Sequence, residues 1–197
     1  MTKYLLEIIN LKKSFEHKNG TIDLFNKVNL KVKKGDLIAL VGPSGSGKSS
    51  FLHLLALLDD PTNGKILFNS KDTKYFKDKD KDQIRRENIS LIFQDNNLLS
   101  DFTALENIMM PLIIRGEKIK FANKKAKKIM REVKILNRMD HFPSEMSGGE
   151  QQRVAIARAL IAKTDLILAD EPTGNLDYKT SDNIYSCFLK LKKLNKA

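Results

Sequence analysis

The sequence predicts an α/β fold in which a mixed, mainly parallel sheet is joined to a helical subdomain. Strand-like and helix-like segments alternate along the 197 residues, which is typical of α/β proteins. The runs at residues 37–41 and 166–169 are continuously apolar, as in strands that helices cover on both faces. Residues 94–161 carry almost no strand signal and predict a helical lobe. We therefore expect one domain, with its core in residues 1–93 and 162–197 and its helical subdomain in residues 94–161.

The individual elements follow from hydrophobic periodicity and from the turn residues between them. Apolar and β-branched runs predict strands over residues 5–9, 28–32, 37–41, 65–68, 89–93 and 166–169. Helical patterns predict helices over residues 48–58, 120–136, 150–162 and 180–194. Turn and breaker residues separate these segments, among them residues 60–64, Pro111, Gly116 and Pro143.

The charge balance is strongly basic, with 35 Lys and Arg against 24 Asp and Glu and a net charge of +11. Such a balance occurs in proteins that bind nucleic acid or an anionic membrane surface. The lysines are scattered along the sequence, however, and no aromatic stacking platform accompanies them. Residues 71–86 alternate Lys with Asp, as on a solvated surface. A lysine-rich surface therefore explains the charge better, and we expect no nucleic-acid partner.

Cysteine content and hydropathy predict a cytoplasmic location. The single cysteine, Cys187, excludes a disulfide within the chain and fits a reducing compartment. The N-terminal segment has the pattern of a strand and lacks the apolar core of a signal peptide. The most apolar stretch, residues 51–58, is shorter than the roughly 20 residues that a membrane-spanning helix needs. We expect no direct membrane insertion.

A phosphate-binding loop is the clearest local motif. Residues 42–49 fit the pattern G-x-x-x-x-G-K-[ST] in full, between an apolar run and a helical pattern. Its glycines let backbone N–H groups surround phosphate oxygens at the positive end of the following helix. Lys48 would place its charge beside the β and γ phosphates, and the Ser49 hydroxyl would ligate Mg²⁺. A chance Gly/Ser-rich turn is the alternative. The predicted nucleotide contacts are Gly42, Pro43, Ser44, Gly45, Ser46, Gly47, Lys48, Ser49 and Ser50.

Two adjacent acids end the apolar run at residues 166–169. The carboxyl end of a buried strand opens into the crevice where α/β proteins bind ligands. Asp170 can bind Mg²⁺ there, directly or through water, and Glu171 can polarise an attacking water as a general base. The alternative is an acid that caps a neighbouring helix.

A third motif, Ser147-Gly148-Gly149-Glu150, precedes a helical pattern. Ser147 and Glu150 have the S-x-x-E spacing of a capping box, so a helix should begin here. The two glycines leave backbone N–H groups exposed at its start, which predicts a second anion site on the same chain. Because the first loop already holds one nucleotide, the second site could face the nucleotide of another subunit. Simple helix capping is the alternative.

With these three motifs in this order, the sequence resembles the ABC ATPase family over essentially its whole length. The resemblance implies a P-loop NTPase core of the RecA type, binding of ATP and Mg²⁺, and ATP hydrolysis. It implies that Phe15 stacks on adenine and that Gln94 contacts Mg²⁺ and acts in catalysis with Lys48 and Glu171. It also implies that Asp177 touches the partner subunit of a homodimer that encloses two ATP molecules. The residues implied to contact the partner's nucleotide are Ser147, Gly148, Gly149 and Glu150.

Within that family the chain is similar to one branch, which contains lipoprotein-releasing ATPases (LolD type), MacB-type exporters and the division ATPase FtsE. Residues 97–108 and 171–177 carry this similarity, and residues 141–145 favour the LolD type. The resemblance implies integral membrane permease subunits as partners and a peripheral position on the cytoplasmic face of the inner membrane. An FtsE-like role in division stays an alternative, as does a soluble ABC ATPase acting on DNA or ribosomes.

One position departs from the family pattern. The family has a strand, ending in a histidine that contacts the γ-phosphate, beyond the point where this sequence stops at Ala197. None of His17, His53 and His141 matches that histidine. Since a positioned donor of this kind is typically worth about 10²–10³ in rate, we expect slow hydrolysis with intact ATP binding. A catalytically impaired nucleotide-binding module is therefore a further alternative.

Overall fold

The computed structural model describes residues 3–18, 20–174, 181, 182 and 185. They form two compact units, one from residues up to Arg85 and the other from Arg86 onward. None of the helices in this described part of the chain is long and apolar enough to cross a membrane.

The first unit is built on an antiparallel sheet with strand order β2-β1-β3-β4. A long hairpin of β1 and β2 forms one side, and β1 pairs with β3 on its other edge. Alternation along β1 buries Leu6 and Ile8, and Leu11, which follows a shift in the pairing register, is also almost fully enclosed. The strands are β1 (Leu6–His17), β2 (Gly20–Val32), β3 (Asn63–Phe68) and β4 (Lys71–Asp72).

Two helices belong to the same part of the chain. Helix α1 (Lys48–Leu55) buries Phe51 and Leu54, and the Phe51 ring meets the Phe25 ring of β2 edge to face at 5.6 Å between centroids. Helix α2 (Asp78–Asn88) buries no residue, because Lys and Asp alternate along it. A single 3₁₀ turn, Thr73–Tyr75, lies between β4 and α2.

The second unit combines a parallel strand pair with three helices. Strands β5 (Ile89–Ile92) and β6 (Leu166–Ala169) are parallel neighbours, with Ile92 opposite Ala169. The helices are α3 (Ala104–Ile114), α4 (Ile119–Glu132) and α5 (Gly148–Ile161). Their apolar faces form one core, in which Ile108, Met130 and Ile156 are fully buried. Short 3₁₀ turns at Leu136–Arg138 and Pro143–Glu145 connect α4 to α5.

The predicted α/β class, with mixed sheets and helices, is confirmed. Every predicted strand but one has a counterpart, although β1 and β2 run well beyond residues 5–9 and 28–32. The helices predicted over residues 48–58, 120–136 and 150–162 correspond to α1, α4 and α5 with shorter C-terminal ends. The helix predicted over residues 180–194 lies almost wholly outside the described residues. The predicted division into core and helical subdomain stays a prediction.

The strand predicted over residues 37–41 is wrong. This segment has no regular secondary structure and pairs with no strand in the described part of the chain. Its side chains are exposed, with Leu37 at 60% and Val41 at 89% of their full accessibility. The prediction used side-chain character alone, whereas a strand exists only where a neighbouring backbone completes its hydrogen bonds.

Candidate functional site

The phosphate loop has the backbone that its glycines predict. Gly45 and Gly47 have φ of 80° and 86°, in the left-handed region that side-chain-bearing residues rarely adopt. A Cβ atom at Gly42 would lie 2.8 Å from the Ser46 hydroxyl oxygen. The loop is further closed by the Ser46 N–H, which donates to the Pro43 carbonyl at 3.3 Å. The left-handed backbone at Gly45 and Gly47 disfavours side chains there, and the loop forms a tight, backbone-lined turn.

Lys48 lies where the loop becomes a helix. It is the first residue of α1, and its ammonium donates to the carbonyls of Gly42 and Pro43, both at 3.0 Å. The N-cap residue of α1 is Gly47, and no side chain caps the helix. The first N–H groups of α1 and the Lys48 charge are therefore available to a phosphate, with Ser49 exposed in the same turn. This combination of donors fits the phosphates of a nucleotide.

Phe15 lies on β1 and is 45% exposed, opposite Ile22 of β2. The Lys13 ammonium stands 4.9 Å from the centre of its ring. Lys13 is held in place by an ion pair with Asp59 at 2.6 Å and by the Asp60 carbonyl at 3.0 Å. An exposed aromatic ring fixed by a rigid hairpin can stack on a planar base.

The structure brings Gln94 and Asp170 to the same edge of the β5–β6 pair. Gln94 stands two residues beyond β5, and Asp170 directly follows β6. The Asp170 N–H donates to the Ile92 carbonyl at 2.9 Å, which extends the parallel ladder by one residue. Because both strands end at this edge, an amide and a carboxylate converge there, as expected at the carboxyl end of parallel strands.

Glu171 has a strained backbone. Its φ is 46°, in the left-handed region, and the next residue is Pro172, which restricts the preceding residue further. The Glu171 carbonyl accepts from the Gly174 N–H at 3.0 Å and closes a turn after the strand. The side chain is exposed at the end of β6. Backbone strain of this kind is concentrated at functional sites, where it fixes a side chain in one orientation.

Helix α5 begins with the predicted capping box. The Ser147 Oγ accepts from the Glu150 N–H at 3.4 Å, and the Ser147 N–H donates to Glu150 Oε2 at 2.9 Å. The Arg138 guanidinium donates to Glu150 Oε1 at 2.8 Å. This hydrogen bond, together with the Ser147 N–H, lowers the pKa of Glu150 to about 2. The start of α5 is thus held by a carboxylate that stays ionised, and a Cβ at Gly148 would meet nothing within 4 Å.

Sequence reasoning missed Arg158, which connects α5 to the loop after Gln94. Its two terminal nitrogens donate to the carbonyls of Asn96 and Asn97, both at 2.7 Å. Burial lowers the pKa of Arg158. The sequence does indicate these contacts, because Arg158 interrupts the otherwise apolar stretch at residues 154–161 and a buried charge needs hydrogen-bond partners.

Oxygen donors suitable for Mg²⁺ are available at three of the predicted positions, the Ser49 hydroxyl, the Gln94 amide and the Asp170 carboxylate. Within the described residues, no group of three or more His, Cys, Asp and Glu side chains could hold a metal ion by itself. Mg²⁺ is usually bound by one or two protein groups together with substrate phosphates, so the Ser49 hydroxyl of α1 and the Gln94–Asp170 pair at the β5–β6 edge are each suitable donors. Asp177, predicted to touch the partner, lies outside the described residues.

Comparison with known proteins gives the family context. The model of the ABC transporter family matches residues 25–174. The chain is 47% identical to the lipoprotein-releasing system ATP-binding protein LolD of Colwellia psychrerythraea, over 96% of this chain and 73% of that protein. It is 48% identical to LolD of Geobacter metallireducens, over 92% of this chain and 80% of that protein. It is 43% identical to LolD of Legionella pneumophila, over 100% of this chain and 87% of that protein.

Solved structures agree with these matches. The chain superimposes with a TM-score of 0.92 on a dimeric structure of the ATP-binding cassette MJ0796 in a post-hydrolysis state bound to ADP and Pi. The sequence identity is 36%, and the match covers 96% of this chain and 84% of the other. A second dimeric structure of the same bacterial ABC transporter cassette gives the same values.

Proposed function

This chain belongs to the ABC transporter family of ATP-binding proteins, and from that premise we propose that it powers the release of lipoproteins from a membrane. It is the ATP-hydrolysing subunit of an ABC transporter. The lipoprotein cargo is proposed from the LolD proteins, to which the chain is 43–48% identical over most of its length. The single structural observation that supports nucleotide binding best is the Lys48 ammonium held over the loop of left-handed glycines.

In the proposed mechanism, the loop binds ATP by its phosphates. Backbone N–H groups of residues 44–49, which include the start of α1, would donate to the phosphate oxygens, and Lys48 adds its charge. The Phe15 ring stacks on the adenine. Ser49, Gln94 and Asp170 supply the oxygen donors for Mg²⁺, which, when bound, neutralises charge that develops on the phosphates.

Glu171 is the proposed general base. Its carboxylate accepts a proton from the water that attacks the γ-phosphate, and the left-handed turn fixes its direction. Gln94 would orient the same water or relay the nucleotide state to the transport partner. These roles are supported by the exposure of both side chains at the carboxyl edges of neighbouring strands.

The start of α5 is the proposed contact with a second copy of the chain. Ser147, Gly148 and Gly149 would donate to the γ-phosphate bound by the partner, so that two chains enclose two ATP molecules. The open space around Gly148 supports this role. Integral permease subunits are the proposed membrane partners on the cytoplasmic face, and Leu99 and Phe102, which are 42% and 38% exposed, offer apolar contact for them.

The test replaces Glu171 with Gln, which preserves size and removes basicity. We expect ATP hydrolysis to fall by about 10²–10⁴, because general-base loss typically costs this much. Binding of ATP, measured by calorimetry, should stay within about twofold of wild type. Glu145→Gln, an acid near the start of α5 with no proposed catalytic role, is the matched control. Normal turnover by Glu171→Gln would remove the base assignment.

A second experiment tests the cargo. The chain is reconstituted with the membrane subunits of a lipoprotein-releasing system in proteoliposomes that carry a lipidated substrate. We expect ATP-dependent release of that substrate, and none with Glu171→Gln. Stimulated ATP hydrolysis without release would reject lipoprotein as cargo while leaving the ATPase assignment intact.

A further inference from the structure

Helix α4 concentrates positive charge on one side. Five basic residues, Lys120, Lys124, Lys127, Lys128 and Arg131, follow at offsets of 0, 4, 7, 8 and 11, which is the spacing of a single helix face. These four lysines and one arginine therefore form one continuous basic surface along the helix. We call these five residues the basic face of α4.

The opposite side of α4 is packed into the protein. Ala122, Ala126 and Met130 are fully buried in the core of the second unit. Since their spacing of four places them together, the basic face is fixed pointing away from that core. Its position is set by packing and does not depend on how the long lysine side chains move.

The basic face has no acidic counterpart. Within the described residues, none of its five members forms an ion pair, and α4 contains one acid, Glu132. The pairs Lys120–Lys124, Lys124–Lys128 and Lys127–Arg131 place like charges four residues apart, which destabilises a helix. The first turn also lacks the acid that would complement the helix dipole. By contrast, α2 alternates Lys with Asp and balances its own charge.

Apolar side chains are exposed at the N-terminal end of α4, where Phe121 borders the basic face. Ile119, in the first turn of α4, is 71% exposed, and Ile114, at the end of α3, is 60% exposed. Phe121 is 42% exposed, and the Lys125 ammonium lies 4.0 Å from its ring centre. Exposed apolar groups together with a cationic face are typical of helices that lie on a membrane surface.

We propose that the basic face of α4, with Ile114, Ile119 and Phe121, binds the surface of a membrane that contains anionic phospholipids. The lysine ammonium groups contact lipid phosphates, and the apolar side chains enter the boundary between headgroups and acyl chains. The helix lies on the surface and spans nothing. This binding is separate from ATP hydrolysis and needs neither the phosphate loop nor Glu171.

An anionic lipid surface fits these residues better than nucleic acid does. Isoleucine has no flat π face on which a base can stack, but it gains free energy when it leaves water for lipid. A single helix face also offers no groove to follow a sugar–phosphate backbone. The exposed aliphatic residues therefore decide between the two partners.

The experiment measures binding of the full chain to vesicles by flotation. Vesicles of mixed phosphatidylglycerol and phosphatidylcholine are compared with vesicles of phosphatidylcholine alone, at low and at high salt. We expect binding to the mixed vesicles only, weakened at high salt because the charges are screened. The variant Lys124→Gln/Lys128→Gln should bind the mixed vesicles about thirtyfold more weakly, at roughly fivefold for each lysine.

The matched control is Lys77→Gln/Lys79→Gln, which removes the same charge at α2. It should bind the vesicles as wild type does, and neither double variant should melt at a lower temperature than wild type. Phe121→Ser should weaken binding at both salt concentrations, because its contribution is apolar. Equal weakening by the two double variants would mean that net charge alone attracts the chain, and would overturn the proposal. Binding to an RNA or DNA oligonucleotide through the same lysines, without vesicle binding, would also overturn it.

Discussion

At the scale of single residues, the Glu150 carboxylate links the start of α5 to pH. Arg138 and the Ser147 N–H bind its ionised form, which lowers its pKa to about 2 from the value of about 4.3 expected in the unfolded chain. A lowered pKa in the folded state means that the stabilisation is complete above about pH 4.3. It is then lost as the pH falls through about 2.

We therefore predict a pH-dependent effect of Arg138→Gln. At neutral pH the variant should be less stable by about 1 kcal/mol, the value for a partly exposed pair. The difference in melting temperature from wild type should stay constant above about pH 5 and shrink towards zero as the pH approaches about 2. Arg131→Gln, an exposed arginine without an ion pair in the described structure, is the control and should show no such trend. A difference independent of pH would contradict the role assigned to the carboxylate.

The residue scale is also where sequence reasoning was most successful. The glycines, Lys48 and the Ser147–Glu150 box all act through backbone geometry and short-range hydrogen bonds, which a local pattern encodes. The strain at Glu171 and the Arg158 contacts were not predictable in this way. The strain at Glu171 depends on the direction of the backbone after β6. The Arg158 contacts join residues that are about sixty positions apart in the sequence.

At the scale of elements, helix α3 shows two local sequence signals that conflict, a capping box that predicts a helix and a proline that predicts its end. Helix α3 begins with a capping box, in which the Thr103 Oγ1 accepts from the Glu106 N–H at 3.3 Å. The sequence carries that T-x-x-E signal, but Pro111 predicts a break in the helix, whereas α3 contains this proline. Helix α2 was missed because it buries nothing and so shows no apolar period.

Strand lengths were underestimated for a related reason. The outer parts of β1 and β2 are largely exposed and polar, so their side chains do not alternate with burial. The two strands are held by pairing with each other, from Leu6 opposite Val32 to His17 opposite Gly20. Pairing between distant segments is a tertiary property. The same lack of a partner explains why the apolar residues 37–41 form no strand.

Element packing supplies the next prediction, for Arg158. Replacing it with Met preserves much of the length and packing but removes the donors to the Asn96 and Asn97 carbonyls. We expect a loss of about 2–3 kcal/mol in the free energy of unfolding, because two charge-assisted hydrogen bonds disappear. Denaturant titration gives this value, with Arg131→Met as the exposed control, which should change stability by less than about 0.5 kcal/mol. If Arg158→Met and Arg131→Met had the same free energy of unfolding, the hydrogen bonds between α5 and this loop would contribute nothing to stability.

At the scale of the whole molecule, the proposed ATP sites each need two chains. The phosphate loop and the α5 start are two proposed anion-binding elements of one chain, and each would serve a different nucleotide in a symmetric dimer. The order of the motifs in the sequence cannot show that a site is shared, because a phosphate-loop motif does not indicate which chain supplies the α5 start that completes the site. Two variants, one in each element, turn the proposal into a test.

Lys48→Ala removes a charge-assisted phosphate contact, typically worth about 1.5–3 kcal/mol, so it should lower ATP hydrolysis at least tenfold. Gly148→Asp should fold normally, since a Cβ there meets nothing within 4 Å, yet it places a carboxylate against the partner's γ-phosphate. Each variant alone should therefore be nearly inactive.

In an equal mixture, half of the dimers hold one chain of each kind, and one of their two sites combines an intact loop with an intact α5 start. We predict that the mixture recovers about a quarter of wild-type ATPase activity. The control mixes Lys48→Ala with the double variant Lys48→Ala/Gly148→Asp, in which every site lacks the loop lysine and no recovery is possible. Recovery in the first mixture alone requires sites shared between chains. Equal inactivity of both mixtures would instead mean that each site uses the loop and the α5 start of the same chain.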